Sequence, residues 1–377
     1  MSSAFFFTWF FATTLWTINA LRRPVRPGEG VAPLWLPGMI VSELAPWLFI
    51  VRSVIAWGFI SLGALDLRIG QAGLVLFVVS QLGLLLLIVR SWRSARDAGG
   101  HPNILSLFSV RIGRPKDVEM TSDVHYWDGL TLDTYRRGDT ENAPCLVYVH
   151  GGSWMRGRPG RQALPLFYSL AAAGWVILDI RYPLSPIATF PDHLIGVKRA
   201  IAWAKTEGGA LGIDPTRIAV SGGSSGAHLA SLAALTWDRS DLQPGFETAD
   251  TSVIACVPHY GIFDLLVRNP TRYDWPFVAL HVLKARPQEQ PDLYRRGSPI
   301  DLVRSDAPPF LVIHGEFDSV VLAAESQHFV DALKSVGAPV SYHEVRGAQH
   351  GFDAIASVRT KSVGRMAAEF LISTANR

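Results

Sequence analysis

A serine, a carboxylate and a histidine, in that order along the chain, carry the chemistry of this sequence. Ser224 sits in Gly222-Gly223-Ser224-Ser225-Gly226, directly behind the apolar run Ile218-Ala219-Val220. Asp318 closes His314-Gly315-Glu316-Phe317-Asp318, and His350 opens His350-Gly351-Phe352. A serine hydroxyl is a poor nucleophile until a base takes its proton. His350 is the expected base toward Ser224 and then the acid for the leaving group. Asp318 is expected to fix the imidazole tautomer and to stabilise its cation. His150-Gly151-Gly152-Ser153-Trp154 follows the apolar run from Cys145 to Val149. Glycines there let main-chain N–H groups approach developing negative charge, so the amides of Gly151, Gly152 and Ser225 are expected to hold an oxyanion. Together these residues predict attack on an acyl carbon, with cleavage of an ester or a related acyl bond.

The rest of the chain must bring these groups to one edge of a scaffold. From about residue 118, apolar runs alternate with helix-like stretches. Strands are predicted at 145–149, 175–180, 218–221, 252–257, 309–313 and 340–345. Helices are predicted at 161–173, 192–206, 226–236, 320–335 and 353–372. Several strand runs are apolar throughout, as in strands covered on both faces, so the fold class is α/β with a mostly parallel central sheet. Ser224, Asp318 and His350 each follow such a strand and should emerge at its carboxyl edge. Small residues at 222 and 226 permit a tight strand-to-helix turn around Ser224. Tyr126-Trp127-Asp128-Gly129 reads as a turn between two short strands.

Other candidates carry weaker signals. His150 reads as orienting the glycine loop, and Trp154 as bordering the pocket. His228, four residues past Ser224, reads as a hydrogen-bonded core histidine that supports the turn. Glu316 is the rival acid, although its earlier place in the loop points to a surface role. His314 and His343 lie at or inside strands and read as structural. Arg156, Arg158 and Arg161 form either a solvated surface or an approach for anionic headgroups or an acidic substrate. The segment 263–300, with Tyr273, Trp275, Phe277 and Tyr294, forms a lid, an acyl pocket or plain core.

Composition narrows the classes. The chain has 377 residues and a net charge of only +3. With no recognition motif, nucleic acid is not an expected partner. The two cysteines, Cys145 and Cys256, lie in strand runs and are expected to be buried free thiols. The sequence has no HExxH pattern, no P-loop lysine and no GxGxxG, so neither a metal nor another cofactor is expected.

Hydrophobic residues make up 49% of the chain, and the excess lies near the N-terminus. Residues 1–21 and 69–89 contain no charged side chain. Arg22, Arg23 and Arg26 follow the first run, and Arg90, Arg93 and Arg96 follow the second. Each run is long enough to cross about 30 Å of hydrocarbon. Residues 34–65 are mostly apolar but carry Glu43 and Arg52. A helix at 46–65 would put Arg52 near one end, where it can snorkel, and a further crossing or interfacial helix at 33–45 stays open. The expected plan is a multi-pass membrane anchor over 1–96, with helices near 4–21, 46–65 and 70–89. A linker or lid approach follows at 97–117, then a catalytic domain at 118–377. Basic flanks place both arginine clusters, and the catalytic domain, on the cytoplasmic side. A cleaved signal peptide is the alternative for the first run, which lacks both a basic start and a clear small-residue cleavage pattern.

Five motifs together resemble a known family. HGGSW at 150–154, Arg181-Tyr182-Pro183, GGSSGAH at 222–228, HGEFD at 314–318 and HGF at 350–352 are similar to those of the α/β-hydrolase carboxylesterases. The similarity is to the hormone-sensitive-lipase-like and kynurenine-formamidase-like branch, over roughly 118–375. The resemblance implies the α/β-hydrolase fold, acylation of Ser224, a triad completed by Asp318 and His350, and an oxyanion hole that includes Gly151 and Gly152. The chain departs from that pattern at Ser153, where many members have a third glycine, and at Gly223, where Asp or Glu is frequent. The N-terminal region resembles that of prenylcysteine methylesterases. The implied partners are a lipid bilayer and a small lipophilic acyl ester. The same motifs leave open aryl-formamidase-like amide hydrolysis, prenylcysteine methylesterase activity, acyl transfer and a catalytically silent membrane scaffold.

Overall fold

A computed structural model describes residues 1–24, 32–272 and 275–377. Arg26 of the first basic cluster and Tyr273 of the 263–300 segment lie outside the described residues. The chain divides into two compact units. The first comprises Met1–Ile112, Gly315–Val320 and Val345–Val363. The second comprises Gly113–His314, Val321–Glu344 and Gly364–Arg377.

The first unit is built on helices α1 (Ser2–Leu21), α2 (Ala32–Glu43), α3 (Ala45–Ser61) and α4 (Arg68–Asp97). Neither proline nor glycine interrupts α1, and the hydroxyls of Thr8 and Thr17 donate back to carbonyls one turn earlier, at 3.0 and 2.9 Å. Such back-bonding lets polar side chains sit in an apolar helix. Phe10 joins α1 to α4, packing edge-on against Phe77 at 5.0 Å and against Phe6 at 4.9 Å. Pro46 starts α3 and Leu44 belongs to neither neighbour, so α2 and α3 meet at 88°. Proline is tolerated in a first turn but cannot continue a preceding helix. Helix α4 runs well past its charge-free stretch, because arginines continue a helix that hydropathy alone cannot follow. The expectation for Arg52 is corrected. It does not snorkel to a helix end but is buried mid-helix, donating to Thr17 Oγ1 at 2.7 Å and to Ser80 Oγ. Hydroxyls of two neighbouring helices take the place of water there. By length and composition α1 and α4 can each cross a membrane, and α2 with α3 would make a third, broken span.

Among the described residues the sheet has eight strands in the order β1-β2-β4-β3-β5-β6-β7-β8. A hairpin of β1 (Val118–Trp127) and β2 (Leu130–Arg137) turns at Asp128-Gly129 and pairs antiparallel with β4 (Val176–Ile180). Strands β3 (Ala143–Val149), β4, β5 (Ile213–Gly223), β6 (Cys256–His259) and β7 (Phe310–Gly315) run parallel, and β8 (Val340–Val345) lies beside β7. Every residue of β4 is buried, as a doubly covered strand requires. The helices between strands are α5 (Leu164–Ala172), α6 (Asp192–Thr206), α7 (Ser225–Leu235), α8 (Pro291–Arg296) and α9 (Ala323–Ser335), and α10 (Val358–Ala375) ends the chain. Cys145 on β3 and Cys256 on β6 are buried free thiols.

Several boundaries differ from expectation: β5 starts at Ile213 rather than 218, and α10 spans Val358–Ala375 rather than 353–372. Helix α5 starts at Leu164 rather than 161, because Ala163 takes a left-handed conformation and Pro165 opens the helix. Strand β6 covers Cys256–His259 rather than 252–257. Its pairing with β5 carries on to the serine turn, at Gly223 opposite His259. Helix α9 begins at Ala323 rather than 320, since Leu322 before it is extended, at φ −64° and ψ 146°.

Candidate active site

In the second unit, β5 ends at Gly223 and α7 begins at Ser225, so Ser224 occupies the junction alone. Its backbone stands at φ 55° and ψ −121°, a region costing a non-glycine residue roughly 1–3 kcal/mol. The strain is held from both sides. The Ser224 N–H donates to the His259 carbonyl at 2.9 Å, and its carbonyl accepts the first α7 bond, from His228 N–H, at 3.1 Å. Gly226 is needed for close approach, since a β-carbon there would lie 2.0 Å from the Val149 carbonyl oxygen. The turn thus seats α7 directly on the end of β3.

The glycine loop leaves that same end of β3. A β-carbon on Gly151 would come within 3.2 Å of Ser224 Cβ, so loop and serine turn are in contact. Gly152 has φ +136° and would clash with the Arg156 carbonyl if it carried a side chain. One expectation is corrected here. The Gly151 N–H is engaged, donating to Gln162 Oε1 at 2.8 Å, and is therefore not a free oxyanion donor. Among the described residues, the N–H groups of Gly152, Ser153 and Ser225 have no acceptor. The sequence carries no signal for Ser153 here, because the group without an acceptor is its backbone N–H and not its side chain.

The supporting residues fall where neutral, buried groups belong. His150 stacks on Tyr182 at 4.6 Å and donates from Nδ1 to the Gly151 carbonyl at 2.9 Å. Tyr182 in turn donates to the His150 carbonyl at 3.1 Å. Trp154 and His228 are brought together. The indole N–H donates to His228 Nδ1 at 3.1 Å, and His228 Nε2 donates to the Gly297 carbonyl at 2.6 Å. With both ring nitrogens used, His228 is a neutral structural histidine. His314 is likewise tied to Ser326 and the Val321 carbonyl. Arg156, Arg158 and Arg161 are exposed. In the 263–300 segment, Tyr294 is core, donating to the Ala285 carbonyl at 2.9 Å, whereas Trp275 and Phe277 stack on each other at 5.6 Å, part-exposed.

Burial pushes His150, His193 and His259 down to about 4 and His228 down to about 3. Each stays neutral when folded, whereas an unfolded imidazole takes a proton below about pH 6.5. Between those limits the unfolded state binds more protons, so stability is full above about pH 6.5 and is lost as pH falls. Each histidine contributes up to roughly 1.4 kcal/mol per pH unit in that window. Denaturant titrations at pH 7, 6 and 5 are expected to show unfolding midpoints falling with pH before the carboxylates titrate. Equal midpoints would show that these rings accept protons without unfolding.

In the first unit, the loop after β7 and the turn after β8 meet. His350 Nδ1 donates to Asp318 Oδ2 at 2.7 Å, and Asp318 Oδ1 accepts the Val320 N–H at 2.9 Å. Asp318 is fully buried and the His350 side chain nearly so. Glu316 is turned elsewhere, accepting the Gly347 N–H at 2.9 Å. The two loops are laced by the Phe317 N–H to the Ala348 carbonyl at 2.9 Å and by Ser319 to Gln349. Against the His350 ring stands Trp35 of α2, edge to face at 6.0 Å. Nothing in the spacing of the sequence pointed to Trp35, which lies in an apolar run far from either motif.

The sheet order and the strand-to-helix turn at Ser224 define an α/β-hydrolase, and the known relatives make it a carboxylic ester hydrolase. Residues 132–333 match the protein family described as BD-FAE, and the chain belongs to that family. It is similar to the esterase LipQ of Mycobacterium tuberculosis, 43% identical over 73% of this chain and 67% of LipQ. The probable carboxylic ester hydrolase LipM of the same organism is 36% identical over 94% of this chain and 90% of its own length. Among solved structures, a truncated carbohydrate esterase from gut microbiota superposes with a TM-score of 0.61 at 24% identity, covering 71% of this chain and 100% of that one. At that identity the likeness speaks for the fold alone.

Proposed function

We propose that this chain hydrolyses a lipophilic carboxylic ester at a membrane surface, through an acyl-enzyme on Ser224. The observation that carries the mechanism is the His350–Asp318 hydrogen bond, which fixes Nδ1 as donor and makes Nε2 the nitrogen that exchanges protons. His350 takes the Ser224 proton as Oγ attacks the acyl carbon, then delivers it to the departing alcohol. Water, deprotonated by the same nitrogen, releases the acid. Asp318 stabilises the imidazolium in between. The amides of Gly152, Ser153 and Ser225 receive the oxyanion, with Gly151 and Gln162 holding the loop in shape. Loss of one such donor typically costs about 3 kcal/mol in the transition state.

The membrane half of the proposal rests on the first unit. Phe5, Trp9 and Trp16 on α1, Val54 and Trp57 on α3, and Val75, Leu82 and Leu86 on α4 are exposed. Lipid is the solvent that such surfaces call for. Arg90 near the end of α4 donates to the carbonyl of Leu21 at the end of α1, at 3.3 Å, so the basic ends of both helices share one level. Arg90 also lies over the Phe317 ring at 4.9 Å, which sets the Asp318 loop at that basic end. With the positive-inside rule, these basic ends favour a cytoplasmic catalytic side.

Chromogenic esters from acetyl to palmitoyl, offered in mixed micelles with Ser224→Ala as control, test the reading. Serine-dependent kcat/KM is expected to rise from acetyl to a maximum at a medium or long chain. In inverted membrane vesicles a charged, impermeant ester is expected to be hydrolysed, and in right-side-out vesicles it is not. A maximum at acetyl would overturn the lipophilic substrate, and turnover in right-side-out vesicles would overturn the sidedness.

A further inference from the structure

The junction of α2 and α3 holds a charge cluster that the triad does not use. Glu43 and Arg359 form an ion pair whose side chains are both fully buried. Glu43 Oε2 also accepts from Ser357 Oγ at 2.5 Å. Arg359 Nη1, besides its bond to Glu43, reaches Ser42 Oγ at 3.2 Å and the Gly347 carbonyl at 3.4 Å, and Ser42 Oγ reaches that same carbonyl at 3.3 Å. The N–H of Gly347 is held by Glu316. Gly347 thus has both its backbone groups fixed, three residues before His350, in a left-handed conformation with φ +64°. The next residues, Ala348 and Gln349, are the ones bonded to the Asp318 loop. A chain of contacts therefore runs from the end of α2 to the imidazole, and Trp35 at the other end of α2 packs on that imidazole directly.

Stability does not account for this cluster. A buried ion pair is often no better than apolar residues of the same volume, because desolvation offsets the attraction. Here the balance is worse, since Nε and Nη2 of Arg359 have no hydrogen-bond partner among the described residues. What an ion pair gives that apolar packing does not is a defined direction, and the direction here ends on the Gly347 carbonyl.

We propose that Glu43 and Arg359 are positioning residues for His350, so that helix α2 of the N-terminal region is part of the catalytic apparatus rather than an anchor alone. The proposal rests on the reading of His350 as the general base. Without the pair, the 347–350 turn loses its fixed carbonyl and the imidazole samples misaligned orientations. A displacement of about 1 Å can cost about 100-fold in rate.

The test uses the full chain in detergent and two variants. Glu43→Gln keeps the shape but removes the charge, so Arg359 loses the charge-assisted bond that aims it at Ser42 and the Gly347 carbonyl. Glu43→Leu/Arg359→Met replaces the pair by apolar volume and is expected to melt no lower than the parent. Both are expected to lose about 10- to 100-fold in kcat and in the rate of Ser224 labelling by a fluorophosphonate, with KM within about twofold. Arg359→Lys, which keeps the charge, is expected to recover part of the loss. Parental kcat and labelling rate in a folded Glu43→Gln or double variant would overturn the proposal. A Ser224→Ala control that retains turnover would instead overturn the reading of the triad.

Discussion

Ser224→Ala is expected to lower kcat/KM for any ester substrate by about 10⁴- to 10⁶-fold while leaving the melting temperature nearly unchanged. The reasoning starts from the backbone. Alanine keeps the β-carbon, so the cost of φ 55° is the same as for serine, and the two main-chain bonds that hold the turn, to His259 and from His228, do not involve the hydroxyl. What disappears is the atom proposed to form the acyl bond. The remaining amides of the glycine loop and of Ser225 can still polarise a carbonyl, so a residual rate of about 10³- to 10⁴-fold above uncatalysed hydrolysis is expected. Initial rates on a matched pair of preparations, together with loss of fluorophosphonate labelling, decide the matter. Retention of more than about a hundredth of parental kcat/KM in a folded variant would mean that the acyl group is carried by another residue or by none.

The parts of this molecule that were legible in advance are those where chemistry and local structure share a short segment. The serine turn is one. It needs small residues at 222 and 226, an apolar strand before and a helix after, all within about ten positions, and each leaves a mark in the composition. The parallel strands were equally visible, because a doubly covered strand is an unbroken apolar run. Where such runs are long their ends blur. The run before Pro258 shows where a strand lies but not where its pairing with β5 stops, hence the offset at β6. That the Gly151 N–H is engaged was not legible, since the acceptor, Gln162, is a side chain far along the loop. Least legible were Trp35 and the Glu43–Arg359 pair. Glu43 reads as a lone charge in an apolar stretch, and Arg359 as one of several arginines in the last helical region. Only the fold brings them together, from 316 positions apart. A pattern with no local spacing leaves nothing for periodicity or motif to detect.

The identity of the acid is open to a sharper experiment than the identity of the nucleophile, because two carboxylates lie two residues apart in one loop. Asp318→Asn is expected to lower kcat by about 10⁴-fold with KM little changed. Asparagine matches aspartate in shape, and its carbonyl or amide can replace Oδ1 or Oδ2, so the loop is expected to stay folded. The amide cannot serve the imidazole in the same way. If its NH₂ faces His350, Nδ1 becomes the acceptor and the ring proton moves to Nε2, the nitrogen proposed to take the Ser224 proton. If its carbonyl faces His350, the tautomer is right but the charge that stabilises the imidazolium is gone. Both arrangements remove transition-state stabilisation and leave substrate binding alone, which is why kcat falls and KM does not. Glu316→Gln is the companion variant. Its carboxylate serves the Gly347 N–H, a bond that the glutamine carbonyl can keep, so a change of no more than about threefold in kcat is expected. Steady-state kinetics of the two variants side by side separate the candidates. A large loss in Glu316→Gln with Asp318→Asn near parental would reverse the assignment of the acid, and equal small losses in both would show that His350 draws its orientation from elsewhere in the loop.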